Sequence, residues 1–341
     1  MQHNLIIITS VYPPDYCGVS DYTFNLMQTE VGKTWQLFYE KDWKLKKIFS
    51  IIKKINQLSA KTVNLQYPSM GFKHSIVPHL LCVYYAITKK KIFTVTIHEY
   101  SQFHLKGKIA SALLYLFASK FIFTTQYEKD EVTKTFPRVI SRSKIIKIRS
   151  NIHSVNILPE VLERKHDLGY FGFISPRKGL EQFLQTAETI KKTNYHYDIF
   201  IMGKIQPHHQ EYAKETIDKA NSLNISVILD SSEKYVAEIL SQTKIMFLPF
   251  FDGISERRGS FLAAAESECV IVSTKGKFVT NSLKKCCELV DVDENAAEKI
   301  ISLMNNNQEL AEKQIQIKNY IKNEIPVSWN EIAEQYNNFL I

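Results

Sequence analysis

The sequence predicts an α/β protein built of two Rossmann-like domains, each a doubly wound parallel sheet. Short segments rich in β-branched and aromatic residues alternate with longer amphipathic segments along most of the 341 residues. Strands that alternate with helices form parallel sheets. The alternation stops at residues 152–166, which contain Pro159, and then begins again. The length also suits about two domains of roughly 150 residues each.

The first series has five predicted strands, which are NLIIITS, KTVNLQY, KIFTVTIHEY, KFIFTTQ and KIIKIRSNI. The second series has six, which are DLGYFGFIS, YDIFIMGKI, ISVILDSS, KIMFLPFF, CVIVSTKG and CCELVD. We place the first domain at residues 1–158 and the second at 159–322. We expect residues 323–341 to form a C-terminal helix that returns to the first domain.

The composition, 45% hydrophobic and 23% charged residues, is that of a soluble globular protein. The apolar stretches are shorter than the roughly 18 residues of a membrane span, and the N-terminal one is too short for a signal peptide. We therefore expect a cytoplasmic protein. The cysteines lack zinc-site spacing and are predicted to be reduced and structural; they are Cys17, Cys82, Cys269, Cys286 and Cys287.

The net charge of +8 and the pI near 9.0 indicate an acidic partner, which could be nucleic acid, anionic lipid or a phosphate-bearing substrate. Residues 41–58 read as a basic amphipathic helix. Two interpretations stay open: a surface helix packed on the first domain, or attachment to an anionic membrane with Trp43 and Phe49 near the interface. The predicted membrane-contact residues are Trp43, Lys44, Lys46, Lys47, Lys53 and Lys54.

Two predicted helix starts in the second domain have cations beside them. Lys178 stands just before one helix, and Arg257 and Arg258 stand just before another that opens with Gly259 and Ser260. The free N–H groups and the dipole of a helix N-terminus favour an anion. Since both helices follow strands, their starts lie at one sheet edge and are predicted to form a diphosphate-binding cradle.

Four segments carry a resemblance to a known family. They are VYPPDYCGVSDYTFNL, TIHEY, GFISPRKGL and PFFDGISERRGSFLAAAESECVIVST. In order and spacing they resemble the retaining GT-B glycosyltransferases of family GT4. The resemblance implies two Rossmann-like domains that face a cleft. It also implies a UDP- or GDP-linked sugar donor bound mainly to the second domain, an acceptor on the first, and transfer with the anomeric configuration kept.

The resemblance also implies roles for individual residues. Gly18 matches a glycine of the family that lies beside the donor phosphates, and Lys178 matches a phosphate-binding lysine. His98 matches the histidine of the family's HD or HE pair, which lies near the transferred sugar. The further donor-binding residues are Gly203, Asp252, Gly253, Arg257, Arg258, Gly259, Ser260 and Glu266, and the catalytic set is His98, Lys178, Asp252 and Arg258. Structural alternatives stay open: a turn at Gly18, a core histidine at His98 and surface charges at the arginines.

The sequence departs from the family pattern at three positions. Ser255 and Ala263 occupy the places of the two glutamates of the E-x7-E signature, and Phe173 that of a phosphate-binding arginine. We expect one of the two arginines to replace the missing cation. Glu266, three residues after Ala263 on nearly the same helix face, is the candidate for the ribose contact, with a solvent-facing glutamate as the alternative.

No metal and no cofactor other than the donor substrate is expected. No D-x-D motif stands at a strand end, and DVDE at residues 291–294 is interpreted as a turn. Cations and helix N–H groups would then stabilise the leaving diphosphate without a metal ion.

The predicted function is that of a retaining glycosyltransferase acting on a saccharide acceptor, with a lipid-linked acceptor favoured. We place it in bacterial-type surface polysaccharide or glycolipid synthesis, as a peripheral protein on the inner face of the plasma membrane. Two alternatives are a GT-B-like sugar-nucleotide epimerase and a non-catalytic basic protein that binds lipid or nucleic acid. Nucleic acid is disfavoured because the sequence has no zinc, helix-turn-helix or RNP motif.

Overall fold

The computed structural model describes residues 3–15, 18–206 and 208–341. It divides the chain into two compact units. The first unit is Met1–Arg149 with Pro326–Ile341, and the second is Ser150–Ile325.

The first unit contains a parallel sheet of six strands in the order β2-β1-β3-β4-β5-β6. They are β1 (Leu5–Thr9), β2 (Gln36–Tyr39), β3 (Thr62–Tyr67), β4 (Ile92–Ile97), β5 (Lys120–Phe123) and β6 (Ser143–Ile145). The five predicted strands are found, but the last of them, β6, covers only residues 144 and 145 of the predicted segment 144–152. We missed β2, because this four-residue edge strand has only one buried residue, Phe38, and so lacks a continuous apolar run.

The second unit contains a second parallel sheet of six strands, in the order β12-β11-β10-β7-β8-β9. They are β7 (His166–Ile174), β8 (Ile199–Ile205), β9 (Ser226–Leu229), β10 (Thr243–Leu248), β11 (Val270–Thr274) and β12 (Cys287–Val290). All six predicted strands are confirmed. The α/β fold class with two parallel sheets is therefore also confirmed.

Thirteen α-helices are found among the described residues. They are α1 (Gly18–Gln28), α2 (Ile48–Gln57), α3 (Val77–Thr88), α4 (Leu105–Phe117), α5 (Gln126–Thr135), α6 (Leu180–Thr193), α7 (Gln210–Ser222), α8 (Glu233–Ser241), α9 (Gly259–Glu266), α10 (Asn281–Cys286), α11 (Ala297–Asn305), α12 (Asn307–Glu324) and α13 (Trp329–Leu340). Most of them connect consecutive parallel strands, which cannot be joined by a tight turn.

Successive side chains of β1 enter two different cores of the first unit, as the twofold period of a strand requires. Ile6 and Ile8 pack in the core that contains residues of α2 to α5. Leu5 and Ile7 pack in the core that contains residues of α1 and α13, among them Tyr336. The last helix of the chain therefore completes the first unit.

Residues 41–58 form a 3₁₀ turn at Leu45–Lys47 followed by α2, which buries Ile51 and Ile55. The five predicted lysines, Lys44, Lys46, Lys47, Lys53 and Lys54, are exposed, and Phe49 is 82% exposed. Trp43 is 3% exposed, and its ring lies 4.8 Å from that of Phe72. Its assignment to membrane contact is therefore wrong, because Trp43 precedes the helix and helical spacing does not apply to it.

The described cysteines are buried free thiols, as predicted; they are Cys82, Cys269, Cys286 and Cys287. Cys17 lies outside the described residues. No helix in the described part of the chain is both long and apolar enough to span a membrane.

Candidate functional site

The strand order of the second sheet reverses between β7 and β10, which are neighbours. The chain continues from β7 to β8 on one side, and from β10 to β11 on the other. Connections that leave adjacent parallel strands in opposite directions open a crevice at the carboxyl edge, where α/β proteins bind ligands. The loops at this edge are residues 175–179 after β7 and 249–258 after β10.

Gly179 brings these two loops into backbone contact. Its φ is +83°, and a Cβ atom there would lie 1.8 Å from the carbonyl oxygen of Pro249, so only glycine fits. The hydroxyl of the buried Tyr170 donates to the carbonyl of Lys178 at 3.0 Å and fixes the preceding residue. Lys178, two residues before the start of α6 at Leu180, is thereby held beside the loop after β10.

Gly253 makes the next contact along the edge. Its φ is +88°, and a Cβ atom would lie 2.4 Å from the Cα of Gly276, in the loop after β11. The backbone N–H of Ile254 also donates to the carbonyl of Thr274 at 3.0 Å. We did not single out Gly276 from the sequence, although a glycine two residues after a strand end is the signal of such a close approach.

Asp252 and Arg258 form an ion pair across the 249–258 loop. The Arg258 guanidinium also lies 4.2 Å from the ring centroid of Phe250. The side chains of Arg258 and Asp252 are only 20% and 17% exposed, so water screens the pair weakly. Arg258 is therefore held in place before any ligand arrives.

The other arginines at this edge lie over different rings. The Arg257 guanidinium is 5.2 Å from the centroid of Phe278, and that of Arg177 is 4.5 Å from the centroid of Phe251. Arg257 and Arg258, which the sequence could not tell apart, therefore have distinct surroundings, and the carboxylate of Asp252 pairs with Arg258.

Helix α9 begins directly after these arginines. A Cβ atom on Gly259 would meet nothing within 4 Å, so packing does not require glycine at this position. The missing side chain leaves the first turn open at Gly259 and Ser260, where backbone N–H groups lack a partner within the helix. An anion could approach these groups closely.

Two of the predicted donor-binding residues have structural roles. Gly203 pairs with Gly172 across β8 and β7, and a Cβ atom there would lie 1.8 Å from the carbonyl oxygen of Gly172. Glu266 is 6% exposed, and its Oε1 accepts the backbone N–H of Ser150 at 2.6 Å. The solvent-facing reading of Glu266 is therefore wrong, because the last turn of α9 faces inward, whereas its ribose contact stays a prediction.

His98 lies in the first unit, one residue after the end of β4. Its Nε2 is 2.8 Å from Oε1 of Gln66, and its ring packs edge to face on Tyr22 at 4.9 Å. The Gln66 amide donates through Nε2 to Asn64 at 2.6 Å, so its Oε1 must accept. The Nε2 of His98 is therefore the donor in this hydrogen bond.

A buried polar network holds this arrangement. Asn64 Oδ1 accepts from Thr96 at 3.0 Å, Thr96 accepts from Tyr336 of α13 at 3.0 Å, and Tyr336 accepts from Tyr22 at 3.0 Å. We missed these residues in the sequence. Their signal was polar residues at alternate positions of β3 and β4, strands that are otherwise apolar, since buried polar groups need partners.

Gly18 begins α1, near the carboxyl edge of the first sheet. It is exposed, and a Cβ atom there would meet nothing within 4 Å. The preceding residues of its motif, 16 and 17, lie outside the described residues.

Across residues 3–15, 18–206 and 208–341, no group of three or more His, Cys, Asp or Glu residues is placed to hold a metal ion. Residues 291–294 form a turn, in which the N–H of Glu294 donates to the carbonyl of Asp291 at 3.2 Å. The interpretation of DVDE as a turn is confirmed.

Comparison with known protein sequences gives two findings. The family model of the glycosyl transferases group 1 matches residues 159–323, which lie within the second unit. No curated protein matches the sequence.

Solved structures match almost the whole chain. A glycosyltransferase from Rickettsia africae has a TM-score of 0.71 at 12% identity, with 99% of each chain covered. HepE from Anabaena, solved in complex with UDP and glucose, has the same values. Sucrose-phosphate synthase from Thermosynechococcus elongatus has a TM-score of 0.66 at 12% identity, with 98% of each chain covered. At these identities the likeness establishes the fold, which is that of the GT-B glycosyltransferase structures.

Proposed function

We propose that the chain is a glycosyltransferase that moves a sugar from a UDP- or GDP-linked donor to a saccharide acceptor. The observation that carries the proposal is the pair of loops joined at Gly179 and Pro249, which bring Lys178 and Arg258 to one sheet edge. The match of residues 159–323 to the glycosyl transferases group 1 supports it. So does the presence of UDP and glucose in a protein of the same fold.

The proposed chemistry follows from the charges at this edge. When the bond between the anomeric carbon and the diphosphate oxygen breaks, the electron pair stays on the diphosphate. Lys178, Arg258 and the open first turn of α9 would stabilise that charge, and the ion pair with Asp252 orients Arg258 in advance. His98 is our candidate for contact with the transferred sugar. Retention of configuration, as in family GT4, is part of the proposal.

We also propose a lipid-linked acceptor at an anionic membrane face, in bacterial-type surface polysaccharide or glycolipid synthesis. The support is the exposed lysine cluster Lys44, Lys46, Lys47, Lys53 and Lys54, beside the exposed apolar side chains of Leu45 and Phe49. Lysines around exposed apolar residues are typical of helices that lie at a membrane interface. The protein would then act on the inner face of the plasma membrane as a peripheral protein.

A thermal-shift screen with nucleoside diphosphates and their sugar derivatives tests the proposal. We expect UDP or GDP to raise the melting temperature, because a ligand at 100 times its dissociation constant adds about 2.7 kcal/mol to the stability of the state it binds. If no nucleoside diphosphate shifts the melting temperature, the nucleotide site is wrong. Isomerisation of the donor without an acceptor would instead indicate an epimerase.

Sugar transfer is expected to persist in EDTA. Lys178 and Arg258 supply fixed positive charge where a metal-dependent enzyme places a divalent ion, so a chelator has nothing essential to remove. The measurement is the initial rate before and after dialysis against EDTA. Complete loss in EDTA, restored by Mg²⁺ or Mn²⁺, would show that a metal ion takes part.

A further inference from the structure

A cavity of about 650 Å³ opens on the first unit between residues 41–45 and 71–76. Its lining includes the basic side chains Lys41, Lys44, Lys73 and His74. Among its lining residues, Asp42 is the one carboxylate. The proposed sugar-transfer chemistry uses none of these residues.

The walls of the cavity are fixed by contacts beneath it. The buried rings of Trp43 and Phe72 pack edge to face at 4.8 Å, and the hydroxyl of Ser75 donates to the carbonyl of Trp43. A Cβ atom on Gly71 would lie 2.3 Å from the carbonyl oxygen of Ser10, so this loop lies directly against the end of β1. The cavity is therefore preformed.

Its electrostatics favour an anion. Asp42 accepts the backbone N–H of Lys44 at 3.1 Å, and Lys41 pairs with Asp15 at 3.0 Å. Lys44 and Lys73 are exposed and have no ion-pair partner among the described residues.

The charge of this part of the sequence and two exposed apolar side chains at the cavity indicate where that anion resides. Residues 41–120 contain fourteen lysines, no arginine and two carboxylates, a net charge of +12 against +8 for the whole chain. Leu45, which lines the cavity, is 58% exposed, and Met70, next to its rim, is 71% exposed. A soluble anion would leave these side chains in water, whereas a lipid phosphate is accompanied by acyl chains that cover them.

We propose that this cavity binds a terminal, accessible phosphate group of a membrane lipid. The site goes beyond the proposed sugar transfer, since it needs no nucleotide and lies within the first unit. The phosphate belongs either to a bulk phospholipid or to the lipid carrier of the acceptor. Only the second of these identifications rests on the proposed function. In either case the occupant is a lipid phosphate held by Lys44 and Lys73.

The test uses the full chain and two kinds of phosphatidylcholine vesicle, one with phosphatidic acid and one with phosphatidylserine, adjusted to the same surface potential. The wild type is expected to bind phosphatidic acid vesicles at least about tenfold more tightly, because an accessible phosphomonoester fits the cavity. The double variant Lys44→Gln/Lys73→Gln is expected to lose this preference.

The matched control is Lys46→Gln/Lys47→Gln, which removes two neighbouring lysines that do not line the cavity. It is expected to weaken binding to both vesicles equally, by about thirtyfold for two charges at roughly 1 kcal/mol each, and to keep the preference. Since all four lysines are exposed, unchanged melting temperatures should show that both variants fold.

The same vesicles with a lipid diphosphate in place of phosphatidic acid distinguish the two sources. Tighter binding to the diphosphate at equal surface potential assigns the cavity to the lipid carrier, and equal binding assigns it to bulk phospholipid. Equal loss of preference in both double variants, or no preference in the wild type, overturns the site. If pyrophosphate raises the melting temperature and the phosphate-bearing vesicles do not, the cavity binds a soluble anion and not a membrane lipid. Nucleotide binding, measured separately, reports on the proposed function alone.

Discussion

Replacing Arg258 by alanine is expected to lower the rate of sugar transfer by about 10²–10³-fold, the usual cost of removing one preorganised group that stabilises developing charge. Arg258 is fixed by Asp252 and by the ring of Phe250, so no neighbour can take its place without rearrangement. Arg258→Lys keeps the charge but loses the planar guanidinium, and is expected to recover only part of the rate. Rates are measured at saturating donor.

Lys178→Ala is expected to act mainly on donor affinity, since Lys178 stands two residues before the start of α6 and its backbone is already held by the hydrogen bond from the Tyr170 hydroxyl to its carbonyl. Its control is Lys192→Ala on the last turn of α6, an exposed lysine paired with Glu188 at 3.1 Å. Loss of such a pair costs at most about 1 kcal/mol of stability and no donor affinity. Unchanged affinity of Lys178→Ala for every nucleoside diphosphate would remove Lys178 from the site.

Asp252 supplies an internal check on the same site. If its role is to orient Arg258, then Asp252→Asn should lower the rate, and the double variant Asp252→Asn/Arg258→Ala should be no slower than Arg258→Ala alone. Groups that act as a unit give such non-additive effects. Additive losses would instead mean that Asp252 contacts the sugar independently. A full rate in Arg258→Ala would transfer the role to Arg257.

The fold was predictable where strands are buried and continuous in the sequence. The strands of the second sheet are apolar runs bounded by turn residues, and we located all six. The edge strand β2 escaped because its pairing with β1 depends on Ile6, Ile7, Ile8 and Thr9, thirty residues earlier in the chain. The hydrophobic pattern of residues 36–39 contains no information about a partner strand so far away in the sequence.

The site was predictable to the extent that it depends on local backbone. Glycines and cations at helix starts placed Lys178 and Gly259 at the sheet edge where the structure has them, whereas the surroundings of Trp43 and Glu266 depend on distant contacts. Glu266 is bonded to Ser150, 116 residues away. The network around His98 likewise connects β3 with α13, so its polar residues have meaning only in the folded first unit.

Replacing Lys44, Lys46, Lys47, Lys53 and Lys54 by glutamine is expected to abolish binding to anionic vesicles and leave nucleotide binding intact. At roughly 1 kcal/mol for each lysine near the surface, the loss is about 10³-fold or more. Lys54 pairs with Glu40 at 2.7 Å, so restoring it alone is expected to recover little. The measurement is vesicle co-sedimentation at low and high salt, and the wild type should bind only at low salt.

A control variant that replaces five exposed lysines of the second unit by glutamine removes the same charge; they are Lys192, Lys214, Lys219, Lys234 and Lys284. It is expected to co-sediment like the wild type, because attraction to a membrane fades within a Debye length and depends on which face bears the charge. Equal loss in both variants would mean that net charge alone drives binding. If the wild type stays in the supernatant at low salt, α2 is only a packed surface helix. The exposed Leu45 and Phe49 would then need another explanation, and a soluble acceptor would replace the lipid-linked one.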